Sequence, residues 1–165
     1  MKRLAKTANL AVMLLIVGIG ASQWQEAQAQ ERVATISEEN RYCLQQNVYF
    51  EARNQSELGQ RAVAWVTLHR LDSARYPDNI CGVVWQNRQF SWTHDGLSDN
   101  PGTNVIEQRA WAKAQEVVDS VLLEWASGEP SPVQGATMFH ADYVRPFWAD
   151  SYERVTQIDD HIFYQ

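Results

Sequence analysis

Cysteine is nearly missing from this chain, with two among 165 residues and no C-x-x-C pair. Two isolated thiols make a poor metal site. No serine stands in G-x-S-x-G and no histidine pair has H-E-x-x-H spacing, which removes the nucleophilic-hydrolase elbow and the zinc-peptidase helix. The histidines His69, His94, His140 and His161 are scattered, and no metal or cofactor is expected. Repeats, low-complexity tracts and Pro/Ser linkers are absent after residue 30. With 45% hydrophobic residues in 165, that points to one compact domain. Basic residues are in deficit, 14 against 20 acidic for a formal charge of -6, so non-specific nucleic-acid binding is excluded. Long hydrophobic runs are lacking too. Ala8 to Ser22, broken only by Asn9, gives about 15 apolar residues where roughly 20 are needed to span a bilayer.

That short run has the flanks of an export signal. Lys2, Arg3 and Lys6 precede it, and Ala27-Gln28-Ala29 supplies the small-x-small pattern that a signal peptidase reads. Residues 1–29 are therefore expected to be a signal peptide, with a short releasable membrane anchor as the alternative, and residues 30–165 a single domain. Both readings place the domain outside the cytoplasm, in the periplasm or cell wall. Its 11 basic and 19 acidic residues leave a charge of -8. In an exported chain the even cysteine count favours a Cys43–Cys81 disulfide over two free thiols. Loop-closure entropy alone puts its contribution at roughly 4 kcal/mol.

Gln30 to Ile36 reads as a loose lead-in. A first helix is expected from Glu38 to about Arg53, with Ser37 as cap and Asn54 as stop, which sets Leu44, Asn47, Val48 and Glu51 on one face. Ser56 caps a second helix, where Leu58, Ala62 and Val66 recur at helical spacing until Tyr76-Pro77 breaks it. A short helix or turn at "DNICGVVWQ" precedes a polar, aromatic loop, "NRQFSWTHDGLSDNPG". The longest helix runs from Asn104 to Ser127, with Val105, Ala112, Val117, Val118 and Val121 on its apolar face and Gly128 at its end. "ATMFHA" then reads as a strand, and "YERVTQI", "DD" and "HIFYQ" as a closing hairpin. The fold class is α+β, mostly helical with a small C-terminal β-sheet.

Glu51 falls near the C-terminal end of the first helix, behind the apolar "VYF". The negative end of the helix dipole and the apolar neighbours both disfavour its charged form, the direction required of a general acid near neutral pH. A lone glutamate on a helix is nevertheless most often a solvated surface charge, and position alone does not decide the matter.

Five blocks in order carry more information: "YFEAR" running on into "ELGQRAVAWVTLHR", then "YPDNICGVVWQ", "QFSWTHDG", "GATMFHADYVRPFWA" and "VTQIDDHIFY". Together they resemble the SleB-type cell wall hydrolases over about residues 42 to 164. The resemblance implies a lysozyme-like fold, with Glu51 as catalytic acid and base. It also implies a peptidoglycan glycan strand as substrate, cut between N-acetylmuramic acid and N-acetylglucosamine by a lytic transglycosylase or a muramidase. In the transglycosylase route one glutamate protonates the leaving oxygen and then assists attack by the muramic C6 hydroxyl. The chain departs from the family pattern in three places. Gln55 stands where a second glutamate is usual, which favours a single-glutamate mechanism or an acidic partner such as Glu57 or Asp95 brought in by the fold. Arg88 and His94 replace cysteines that some relatives carry around Q-F-S-W-T, leaving that loop to rely on packing. His69-Arg70 replaces an Asn-Arg pair.

Gln89, Ser91 and Trp92, on the predicted loop, are candidates for lining a sugar-binding cleft, whereas Phe90 reads as core. His140 and Tyr143 are further candidates, with a satisfied strand histidine as the alternative for His140. Competing functions are an N-acetylmuramoyl-L-alanine amidase and a wall-binding module without activity. The sequence suits bacterial wall remodelling and phage lysis equally, and a monomer is assumed.

Overall fold

The computed structural model describes residues 22–165. The hydrophobic stretch of the expected signal lies outside them apart from Ser22. Among the described residues no helix is long and apolar enough to cross a membrane.

The described part of the first helix, α1, covers residues 22–34. Four helices follow: α2 (Glu38–Ala52), α3 (Glu57–Leu71), the short α4 (Ile80–Val84) and α5 (Val105–Ser127). Three strands close the chain: β1 (Met138–Ala141), β2 (Arg154–Ile158) and β3 (His161–Tyr164). The expected helix and strand order is thus observed. Side-chain caps set the helix starts. Ser37, Ser56, Asn79 and Asn104 each accept a backbone N–H from the first turn of α2, α3, α4 and α5 respectively. Gly128, in the left-handed region at φ 76°, ends α5 by donating its N–H back to the last turn.

The loose lead-in expected at residues 30–36 is corrected by the structure, since α1 runs through to residue 34. Ala29 and Val33, four apart on one face, are 2% and 8% exposed and join the core. Arg32 donates to the Ala126 carbonyl at 2.8 Å, and its guanidinium lies 5.0 Å from the centre of the Trp125 ring. Gln, Glu and Ala favour helix without marking a face strongly, so this stretch carries little periodic signal. The expected processing point after Ala29 falls inside α1.

Helix α2 is the hub, packing against α3, α4 and α5. Leu44, Val48, Val63, Val66, Leu68, Val118, Val121 and Leu122 form the fully buried centre. Leu58, Val105 and Ala112, assigned to apolar faces from their spacing, are instead exposed. Ala62 in α3 lies one turn beyond Leu58 and is buried, and in α5 the buried alanine is Ala114.

The Cys43–Cys81 disulfide forms and joins α2 to α4 across 38 residues of sequence, with 5.2 Å between Cα atoms. Reduction, followed by denaturant unfolding, is expected to lower stability by about 2–4 kcal/mol through the entropy regained by the unfolded chain. Equal midpoints for oxidised and reduced protein would contradict this.

The sheet has the order β1-β3-β2, antiparallel throughout, with Met138 opposite Tyr164 and Ile158 opposite His161. Phe163, on central β3, is fully buried, and Phe139 bridges it to Phe90 with ring centres 5.7 and 6.3 Å away. The β2–β3 turn is fastened to the start of α3. Asp159 takes a left-handed φ of 49° and accepts from the Ser56 N–H and hydroxyl at 2.8 and 2.6 Å. A side chain on Gly59 would collide with that carboxylate, so the close approach requires glycine. This clasp brings the hairpin turn to the C-terminal end of α2, where Glu51 sits.

Candidate active site

Glu51 is presented by the last turn of α2. Beneath it, buried Asn47 donates to the Thr67 hydroxyl at 3.1 Å and accepts from the Trp92 indole N–H at 3.3 Å. Trp92 in turn stacks on Phe50, with ring centres 4.7 Å apart. These contacts fix the helix end that carries the carboxyl. Glu51 lines a pocket of about 430 Å³ whose other walls include Arg53, Gln55, Tyr143, Asp160 and His161.

Among the described residues the Glu51 carboxyl has neither a hydrogen-bond partner nor an ion-pair partner. Burial pushes its pKa up from 4.5 to about 7, against the opposing pull of the Arg70 cation. The folded state therefore binds a proton more tightly than the unfolded chain. Whatever stability this proton gives is complete below pH 4.5 and is lost as pH rises through about 7. Glu51→Gln is accordingly expected to match wild-type stability near pH 4 and to exceed it by about 3 kcal/mol near pH 8. Urea melts at the two pH values check this, and a constant difference would refute it.

Arg70, on α3, is 3% exposed. Its Nε donates to the Thr137 carbonyl at 2.7 Å, and its guanidinium lies 5.0 Å from the Phe90 ring and 5.6 Å from that of Tyr76. Burial lowers its pKa to about 10, and Tyr76 and Glu51 both counter that fall. It stays a cation at neutral pH. The preceding residue, His69, bonds through Nδ1 to the Ala136 carbonyl at 3.0 Å. Burial also lowers its pKa, so a neutral ring donating through Nδ1 fits that contact. The His69-Arg70 pair thereby fastens α3 to the chain entering β1.

His161, at the start of β3, is 6% exposed and its Nδ1 is buried without a partner. Burial lowers its pKa, although Asp160, Asp159 and Asp142 pull the other way. The ring in the Glu51 pocket is therefore neutral at neutral pH.

The sequence-predicted residues divide among three places. Tyr143, 83% exposed, stands on the rim of the Glu51 pocket. Gln89, Ser91 and His140 line a neighbouring, mainly apolar groove of about 730 Å³ that includes Arg70, Phe147 and Trp148. Arg70 thus lies in the wall of one depression and beside the acid of the other. Trp92 is 6% exposed and lies under the site rather than on its wall. An indole N–H paired with Asn47 and a ring packed on Phe50 and Trp85 explain why. His140 lines the groove and also bonds to the Tyr164 hydroxyl at 3.0 Å.

The acidic partners suggested for Glu51 are engaged elsewhere. Glu57 pairs with Lys113 at 2.7 Å, and Asp95 accepts the Leu97 N–H at 2.8 Å. Around Q-F-S-W-T, where the cysteine pair is missing, the Arg88 N–H donates to His94 Nε2 at 3.0 Å, a local tie in addition to packing. A larger cavity of about 800 Å³, lined by α2 and α5, does not include Glu51, and the Arg41–Asp119 pair on its wall is satisfied at 3.3 Å.

Arg70, Asp160 and His161 were not anticipated as site residues. An arginine inside the apolar run "AVAWVTLHRL" was the one available signal, because a charge at such a position must be buried with partners. Nothing in the local sequence brings residues 160 and 161 to residue 51.

Residues 54–164 match a family described as Cell Wall Hydrolase, a segment that begins just after Glu51. The spore cortex-lytic enzyme of Halalkalibacterium halodurans is 31% identical over 131 residues, covering 79% of this chain and 36% of that protein. That of Bacillus subtilis is 26% identical over 139 residues, covering 84% and 42%. The chain spans about two fifths of the length of these curated relatives. Among solved structures, the catalytic domain of the germination-specific lytic transglycosylase SleB from Bacillus anthracis superposes with a TM-score of 0.62 at 27% identity, covering 79% of this chain and 98% of that domain. The catalytic domain of the Bacillus cereus SleB protein gives 0.58, also at 27% identity, with 79% and 92% covered.

Proposed function

This chain belongs to the cell wall hydrolase family, and from that premise we propose that it cleaves the β-1,4 bond between N-acetylmuramic acid and N-acetylglucosamine in peptidoglycan, as a lytic transglycosylase. The observation that carries the reading is the half-buried, unpartnered Glu51 carboxyl with a pKa of about 7, open to a polar pocket and flanked by an apolar groove. A carboxyl in that state donates a proton to a glycosidic oxygen and takes one back within the same pH range.

Glu51 protonates the oxygen linking the two sugars, and the C1–O bond breaks towards it. The resulting carboxylate then accepts the proton of the muramic C6 hydroxyl as that oxygen bonds to C1, leaving a 1,6-anhydro end. No water enters, and one glutamate serves both steps. Arg70 sits behind the carboxyl and stabilises its anionic form between them. Sugars pack their apolar faces on Tyr143 and on the groove aromatics, while Gln89, Ser91 and His140 meet their hydroxyl edges. Residues 1–29 direct export, as a signal or a releasable anchor, and the domain acts on the wall as a monomer.

Mass analysis of purified peptidoglycan digested with the protein tests this. Anhydro-muropeptides are expected. Reducing muramic ends would instead identify a hydrolytic muramidase, and free stem peptides an amidase. An undigested but protein-coated wall would identify a binding module.

A further inference from the structure

Gln55 removes the acid that the family pattern places four residues after Glu51, yet the pocket is not left with one carboxylate. Asp160, from the β2–β3 turn, lines it. Two hydrogen bonds with a single side chain hold Asp160 in place. Gln55 Nε2 donates to its Oδ2 at 3.1 Å, and its own backbone N–H donates to Gln55 Oε1 at 3.2 Å. Asp160 Oδ1 has no partner among the described residues. The neighbouring acids are otherwise engaged: Asp159 with Ser56, Asp142 with Gln157 at 3.3 Å, and Glu107 with Tyr49 and Arg53. Asp160 is exposed, but these two bonds tether it to Gln55, and its second oxygen is free of protein partners in a residue that lines Glu51's pocket.

We propose that Asp160 is a catalytic residue whose carboxylate stabilises the positive charge that builds on the sugar ring as the glycosidic bond breaks. The proposal rests on the glycan-cleaving reading above. As Glu51 gives its proton to the leaving oxygen, the bonding pair departs with that oxygen, and the deficit is shared by C1 and the ring oxygen. Asp160 forms no bond. It offers a prepositioned negative charge until the C6 hydroxyl closes on C1 and returns its proton to Glu51. The Gln55 amide fits this role better than a glutamate at 55, which would set two like charges against each other.

Asp160→Asn keeps the shape and can still accept from Gln55, so it removes the charge alone. With purified peptidoglycan its kcat is expected to fall about 100-fold, with KM and melting temperature close to wild type. Gln55→Ala frees the side chain but keeps the charge, and a smaller loss of about tenfold is expected. Wild-type kcat in Asp160→Asn would overturn the proposal while leaving the glycan-cleaving reading intact. So would a change confined to KM, or equal losses in both variants accompanied by equal drops in melting temperature, which mark a structural clamp. Absence of glycan cleavage by the wild-type protein would overturn the reading and this proposal together.

Discussion

Glu51→Gln is expected to reduce the release of anhydro-muropeptides by about 10³-fold or more, the scale of losing a positioned general acid. Glutamine keeps the size and polarity of the side chain, so the pocket and the Asn47–Trp92 support beneath it persist. What disappears is the proton. On the proposed mechanism the leaving sugar oxygen must then depart as an unprotonated alkoxide, and the C6 hydroxyl loses its base. In the wild-type enzyme the same logic sets the pH profile. Burial holds the acid protonated up to about pH 7, so kcat/KM is expected to fall as pH rises through that value. An unperturbed carboxyl would lose the acid form near pH 4.5. Initial rates measured by chromatography of soluble muropeptides across pH 4–9 decide the point. A Glu51→Gln protein digesting at the wild-type rate would remove Glu51 from the chemistry altogether.

The helix around Glu51 was legible from local sequence because its determinants are local: Ser37 caps it, and Leu44 and Val48 sit on the face that carries the glutamate. The hairpin turn was equally legible from Asp159-Asp160 between two β-rich runs. The distance between these features was not. Residues 51 and 160 share a pocket because Asp159 reaches Ser56, 103 positions away, and because Gly59 leaves room for the approach. Trp92 illustrates the opposite failure. Its loop setting suggested exposure, but an indole N–H that finds Asn47 lets the whole ring sink into the core. Arg70 was visible as a charge among apolar residues, but its role depends on three partners, Thr137, Tyr76 and Phe90, drawn from separate segments.

Arg70→Met tests whether that arginine governs the acid or only the packing. The substitution roughly preserves side-chain length and removes the cation. Two penalties are independent of pH: the Thr137 carbonyl loses its donor, and the Phe90 and Tyr76 rings lose a cation. Together they are expected to cost about 1–2 kcal/mol after relief of the burial that lowers Arg70's own pKa. A third penalty depends on Glu51. Near pH 5 the folded protein holds Glu51 protonated, and losing a neighbouring cation matters little. Near pH 8 the carboxylate is left buried without its compensating charge, and the total is expected to reach about 3–5 kcal/mol. Because the Arg70 cation opposes the rise in Glu51's pKa, its removal moves that pKa further up. The alkaline limb of the activity profile should therefore shift to higher pH even though the variant is less stable. A merely structural arginine would lower stability equally at both pH values and leave the limb in place.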